Sequence, residues 1–215
     1  MRNFKFLATA IVAVMLACVL AVASFAATPF TDVDDKKNPA LSDAVSLLNG
    51  LGVAKGTSET TFGTMELVTR QQMAAFVYRL MKEGKSLEGG SNQSPFTDLE
   101  DSTYFSYVSW ANGMGIIKGT SATTFDPKGG ITLQDAYTMI IRALGHEDDT
   151  YQYPFTYIDK AEELGLDKNL DSVINYTTKL TRGDVAVLPF STAYSSMGER
   201  ISSIVISPES ASRVS

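Results

Sequence analysis

KGTSETTF at residues 55–62 returns as KGTSATTF at residues 118–125, one change in eight, displaced by 63 positions. A phrase of this length at a fixed displacement marks an internal repeat, and the repeat governs any reading of the fold. The register holds outside the phrase: Gly52 aligns with Gly115, Thr69 with Thr132 and Arg79 with Arg142. A third, diverged copy follows, in which Thr181-Arg182-Gly183-Asp184 echoes Thr69-Arg70-Gln71-Gln72.

Working outward from the phrase, each unit has the same parts. It opens on an aromatic residue and an aspartate, Phe30-Thr31-Asp32-Val33 and then Phe96-Thr97-Asp98-Leu99, followed by a short acidic loop. A first helix is expected near 39–51 and 103–114, because Leu41, Ala44, Val45, Leu48 and Leu51 recur at helical spacing, as do Tyr104, Tyr107, Val108 and Ala111. Gly52 and Gly115 stand where a helix stop needs a left-handed backbone. The phrase itself is a Gly/Ser/Thr loop ending on Phe62 or Phe125, which pins it to the core. Thr69 then caps a second helix, with Gln72 completing a capping box; Thr132 with Asp135 and Thr181 with Asp184 are versions with a shorter acid. Met73, Phe76, Val77 and Leu80 form its apolar stripe, matched by Ala136, Met139, Ile140 and Ala143.

These boundaries divide the chain into a leader (1–26), unit 1 (29–84), a polar glycine-rich linker (85–94), unit 2 (95–146), unit 3 (151–198) and a tail (199–215). Unit 3 lacks the phrase, starts on Tyr153-Pro154-Phe155, and carries Gly165-Leu166 as its helix stop. Its first helix is expected through Ile158, Ala161 and Leu164. Pro189 is expected to kink or shorten its second helix, and this copy is expected to be the loosest. Ile204, Val205 and Ile206 in the tail favour a strand, or the opening of a further domain.

Arg2 and Lys5, the apolar run from Phe6 to Val22, and the small residues Ser24 and Ala26 read as a secretory signal peptide cleaved after Ala26. A membrane anchor is the alternative by length. A lipoprotein at Cys18 is disfavoured because the apolar run continues past it. With the signal removed, no stable membrane span, no cysteine and hence no disulfide remain. The 189 residues left are held by their core alone. Loss of Arg2 and Lys5 takes the formal charge from −6 to −8. That argues against nucleic acid and requires any anionic ligand to be met by local basic groups.

Catalytic sets are missing from the sequence. The one histidine, His146, lies in an acidic HEDD stretch and reads as solvated; there is no cysteine nucleophile, Gly-x-Ser-x-Gly, zinc spacing or phosphate loop. No cofactor and no enzyme activity are expected. Asp32, Asp34 and Asp35 suggest calcium but lack the EF-hand spacing, and read instead as a solvated loop capping the first helix.

Taken in order, Phe-Thr-Asp-Val at 30–33, Gly115-Ile116-Ile117, the Gly-Thr-Ser…Thr-Phe loop, Thr-Arg-Gln-Gln at 69–72 and Thr-Arg-Gly-Asp at 181–184 resemble the S-layer homology domain family, over roughly residues 29–197. The resemblance implies an all-α fold, three helix-loop-helix repeats packed as a pseudo-threefold trimer within one chain. It also implies non-covalent attachment of an exported protein to the bacterial cell wall or S-layer, through a pyruvylated secondary cell-wall polysaccharide linked to peptidoglycan. A pyruvate ketal carries a carboxylate, which a guanidinium at a helix N-terminus suits. Arg70 and Arg182 occupy the family's threonine-arginine position, whereas Leu133 holds it in unit 2. The candidate polysaccharide-binding residues are Arg70, Arg182, Lys55, Lys118, Trp110, Gly56 and Gly119, with the cap residues Gln72 and Asp184 beside the arginines. Lys55 and Lys118 read equally as solvated loop lysines, Trp110 as a core residue, and Gly56 and Gly119 as turn glycines; Arg79 and Arg142 read as structural. Two other readings stay open: an S-layer lattice protein whose repeats contact other surface-layer proteins, and the anchor fragment of a larger extracellular enzyme.

Overall fold

In unit 1 the chain turns into its first helix at Asn38, whose Oδ1 accepts from the Leu41 N–H at 3.0 Å, with Pro39 at the first helical position. The cap is therefore Asn38 and not the acidic loop, because Asp34 instead accepts from the N–H groups of Lys36 and Lys37. The computed structural model describes residues 28–82, 84–87, 93–99, 103–171 and 173–189. The leader 1–26, much of the linker and the tail lie outside them, as does unit 3 beyond residue 189.

Among the described residues the helices are α1 (Pro39–Gly50), α2 (Arg70–Met81), α3 (Phe105–Gly113), α4 (Leu133–Ala143), α5 (Phe155–Glu163) and α6 over 182–189. Each unit thus supplies a first helix and a second helix, and the fold is all-α. The first helices end alike. Gly52, Gly115 and Gly165 have φ of +72°, +73° and +69°, and the next residue bonds back into the helix: Val53 to Leu48, Ile116 to Ala111 and Leu166 to Ala161, at 2.8–2.9 Å. Residues 182–189 stay helical through Pro189. Second helices pack forward, α2 against α3 and α4 against α5, with α2 also meeting α4. Unit 3 is as well filled as the others where described: Tyr157, Leu166, Leu180 and Leu188 are fully buried.

The aspartate that opens each unit ties its start to its phrase. Asp32 accepts from the N–H groups of Phe62, Gly63 and Thr64 at 2.7–2.8 Å, and Asp98 from those of Phe125 and Asp126 at 2.8–3.0 Å. Both oxygens of Asp32 are engaged this way, which leaves it a poor metal ligand. The preceding aromatic completes the tie, Phe30 meeting Phe62 and Phe96 meeting Phe125 with ring centroids 5.6 and 5.4 Å apart. Gly56 and Gly119 lie under these rings; a Cβ at either would come within 3.0 Å of two carbonyl oxygens and of the aromatic edge.

What joins the units is a backbone ring. The residue before each second-helix cap is apolar and buried: Val68, Ile131 and Leu180. Val68 N–H donates to the Leu180 carbonyl (3.0 Å), Leu180 to Ile131 (2.9 Å), and Ile131 back to Val68 (2.8 Å). Isolated bridges Leu67–Thr181, Thr69–Gly130 and Thr132–Lys179 flank this ring. The cycle is the pseudo-threefold relation at atomic level, and it satisfies three buried donors without a sheet edge. The first N–H groups of each second helix extend it: Arg70 donates to Gly129, Leu133 to Thr178 and Arg182 to Glu66. Those groups are the orphan donors of a helix N-terminus, and here the neighbouring unit meets them.

Candidate functional site

Because each second helix begins against the next unit's loop, its first residue is delivered into an inter-unit junction. Arg182 reaches from unit 3 into unit 1. Its Nε donates to the Phe62 carbonyl at 3.0 Å, its Nη2 to the Lys55 carbonyl at 2.6 Å, and its Cζ lies 4.7 Å from the Phe62 ring centroid. Arg70 repeats this from unit 1 into unit 2, with Nε 2.9 Å from the Phe125 carbonyl and Cζ 4.8 Å from the Phe125 ring. Each guanidinium is held over an aromatic face with donors left for another partner.

At the third junction the register of Gln134 N–H to Tyr176 O, matching Gln71 N–H to Pro127 O, puts Ile174 where the others have phenylalanine. Leu133, 2% exposed, stands where they have arginine. Arginine on phenylalanine has become leucine with isoleucine, so this junction is an apolar joint.

Both arginine junctions open into clefts. The cleft at Arg182 has a volume of about 220 Å³ and includes Lys55, Phe62, Gln72, Arg79 and, from unit 2, Tyr104. The cleft at Arg70 has a volume of about 460 Å³ and includes Lys118, Gly119, Asp135, Arg142 and tyrosines 151, 153 and 157. Of the residues expected from sequence, Arg182, Lys55 and Gln72 therefore meet in one cleft, and Arg70, Lys118 and Gly119 in the other. Asp184 lines neither cleft and caps Thr181, its Oδ2 accepting from Thr181 N–H at 2.8 Å. Trp110 lines neither cleft: it packs edge-on to Tyr78, centroids 4.8 Å apart, at the α2–α3 contact. Gly56 serves the turn under Phe30. His146 is exposed just past α4.

Several cleft residues were not among the binding candidates read from sequence. Arg79 and Arg142 sit at matched places near the ends of α2 and α4, and the repeat register was the available signal. Arg142, 8% exposed, donates from Nε (3.2 Å) and Nη2 (3.0 Å) to the Tyr157 hydroxyl oxygen and pairs with Glu147 at 3.2 Å. Arg79 differs: it lies 5.2 Å from the Tyr107 ring, faces the first cleft, and forms no ion pair among the described residues. In the second cleft Asp135 pairs with Arg70 at 3.2 Å, and Glu147 also pairs with Lys118 at 3.4 Å. Burial raises the Glu147 pKa, but the Tyr157 hydroxyl and the charges of Arg142 and Lys118 outweigh it, and the net shift is downward, so this carboxylate is ionised. Burial and the Asp135 charge push the Tyr153 hydroxyl up, and it stays a neutral donor to Asp135 at 3.0 Å. No helix among the described residues is long and apolar enough to cross a membrane.

A family model described as S-layer homology domain matches residues 29–74 and 95–136. The chain is 32% identical over 191 residues to a "Cell surface protein" of Thermoanaerobacter kivui, covering 87% of this chain and 24% of that protein. It is 31% identical over 186 residues to the "Middle cell wall protein" of Brevibacillus brevis, covering 84% and 17%. A shorter match, 36% over 76 residues, is to an "Endoglucanase" of a Bacillus species, covering 35% and 8%. The chain thus spans about a quarter or less of the length of these relatives.

Proposed function

The chain belongs to the S-layer homology domain family through residues 29–74 and 95–136, and from that premise we propose that it anchors an exported protein to the bacterial cell wall by gripping an acidic secondary cell-wall polysaccharide in its inter-unit clefts. The chain is a cell-wall or S-layer protein, in keeping with relatives named for the cell surface and the cell wall. The observation that carries the finer reading is the placement of Arg70 and Arg182. Each is fixed at a helix N-terminus over a phenylalanine, with a lysine of the repeated phrase also lining its cleft. A pyruvate ketal offers a carboxylate on an otherwise neutral sugar, and a preoriented guanidinium pairs with it bidentately at small entropic cost. The acidic balance of the chain leaves such local groups to do the binding.

Co-sedimentation of the exported chain with isolated walls, retaining or stripped of their secondary polymer, tests this. Binding is expected to require the polymer and to be lost in Arg70→Ala plus Arg182→Ala. Binding that needs the polymer but ignores the arginines would move the site elsewhere. Walls that fail to bind at all would turn the reading to a lattice protein, tested by self-assembly. The endoglucanase match covers 76 residues and fits a repeat module joined to a separate enzyme, with no catalysis in the repeats themselves.

A further inference from the structure

The two arginine clefts are built from one repeated plan and carry the same three cations. Arg182, Lys55 and Arg79 stand in the first, and Arg70, Lys118 and Arg142 in the second. Their neutralisation differs. In the second cleft each cation has a carboxylate partner: Arg70 has Asp135 at 3.2 Å, Arg142 has Glu147 at 3.2 Å and Lys118 has Glu147 at 3.4 Å. These acids are themselves fixed. Asp135 accepts from the hydroxyls of Thr132 (2.9 Å) and Tyr153 (3.0 Å), and Glu147 from that of Tyr157. No described residue lining the first cleft is acidic.

The difference is written at two positions of the repeat. Sixty-three residues before Asp135 stands Gln72, and 63 before Glu147 stands Gly84; both line the first cleft. Gln72 is uncharged, its Oε1 turned to the Thr69 N–H at 2.8 Å. Gly84 has φ of +76°, and a Cβ there would run into the Leu51 carbonyl, so no carboxylate can be carried at that position. Glu66 and Asp32 act on Arg182 through space without pairing with it.

We propose that Asp135 and Glu147 are specificity determinants that close the Arg70 cleft to anions, leaving the Arg182 cleft as the acceptor for the acidic group of the polymer. This rests on the anchoring reading and narrows it to one junction. An incoming carboxylate at Arg182 meets three cations and no resident acid among the described lining residues. At Arg70 it must displace Asp135, itself bonded to three groups, and it faces like-charge repulsion from Glu147.

The test compares single substitutions to leucine, the residue that already fills this position at 133, in the exported chain binding to polymer-bearing walls. Arg182→Leu is expected to weaken binding about tenfold or more, the scale of a lost charge-assisted contact, and to weaken it more than Arg70→Leu does. Both remove a carbonyl bond and a ring contact, and Arg182→Leu a second carbonyl bond besides, so thermal melting serves as the common control. Arg79→Gln, which touches neither carbonyl, is expected to weaken binding too and covers the case in which Arg182→Leu fails to fold. Asp135→Gln, the native residue of unit 1, is expected to restore binding to an Arg182→Leu or Arg79→Gln chain. Equal losses at the two arginines, a larger loss at Arg70, or no rescue by Asp135→Gln would overturn the inference while leaving anchoring intact. Unchanged binding to polymer-stripped walls would instead remove the anchoring reading itself.

Discussion

Asp32 holds three consecutive backbone N–H groups, and its energetics follow from that. Burial raises its pKa, but the donors from Thr64, Phe62 and Gly63 outweigh it and hold the carboxyl below its ordinary value of 3.8. A depressed folded-state pKa contributes stability that is complete above the unfolded value and is lost as pH falls through the folded one. Acid unfolding is therefore expected to steepen below about pH 4. Asp32→Asn is expected to cost about 1–3 kcal/mol at neutral pH and to flatten that acid limb, read by denaturant titration at several pH values. An unchanged acid limb would place the acid sensitivity elsewhere. The sequence showed Asp32 in an acidic loop and hid this role, because its three partners lie 30 to 32 residues away. Arg182 was legible as a candidate from its motif, whereas its carbonyl partners, 120 and 127 residues distant, were not.

At the scale of the element, the second helices start where local chemistry places them. Thr69 and Gln72 form a reciprocal box: Gln72 N–H reaches the Thr69 hydroxyl at 3.4 Å, and Thr69 N–H reaches Gln72 Oε1 at 2.8 Å. Thr132 with Asp135 repeats the first half, and Thr181 with Asp184 repeats both. Thr69→Ala is expected to cost about 1 kcal/mol in a chemical melt. It also loosens the start of α2, and hence Arg70, more than Arg182. If the anion site lies at Arg182, wall binding should fall less than stability does. Caps and glycine stops were readable because donor and acceptor are three to five residues apart. The first helices of units 1 and 2 moved by no more than two residues from the expected 39–51 and 103–114, and the acidic loop lost its assigned capping role to Asn38.

For the whole molecule, the backbone ring through Val68, Ile131 and Leu180 makes the three units one cooperative object. Deleting everything beyond residue 146 would leave the Val68 and Leu133 N–H groups without their unit 3 acceptors. It would also uncover Leu133 and Tyr137, which are 2% and 1% exposed. Such a chain is expected to lose its sharp thermal transition in calorimetry, since buried unpaired donors and bared apolar surface both oppose folding. A transition as sharp as that of the full chain would show that the units fold independently. The sequence by itself determined the 63-residue repeat, where the first helices stop and the second helices start, and which family the chain resembles. Those properties depend on short-range periodicity, on capping chemistry and on a repeated phrase. Only the tertiary structure decided which unit's arginine enters which unit's cleft, that Trp110 belongs to the α2–α3 contact, and that the cations of one cleft pair with carboxylates while those of its twin form no ion pair among the described residues. Those facts depend on contacts between residues far apart in the chain, where sequence spacing carries no record of distance and a carboxylate's partner is set by packing.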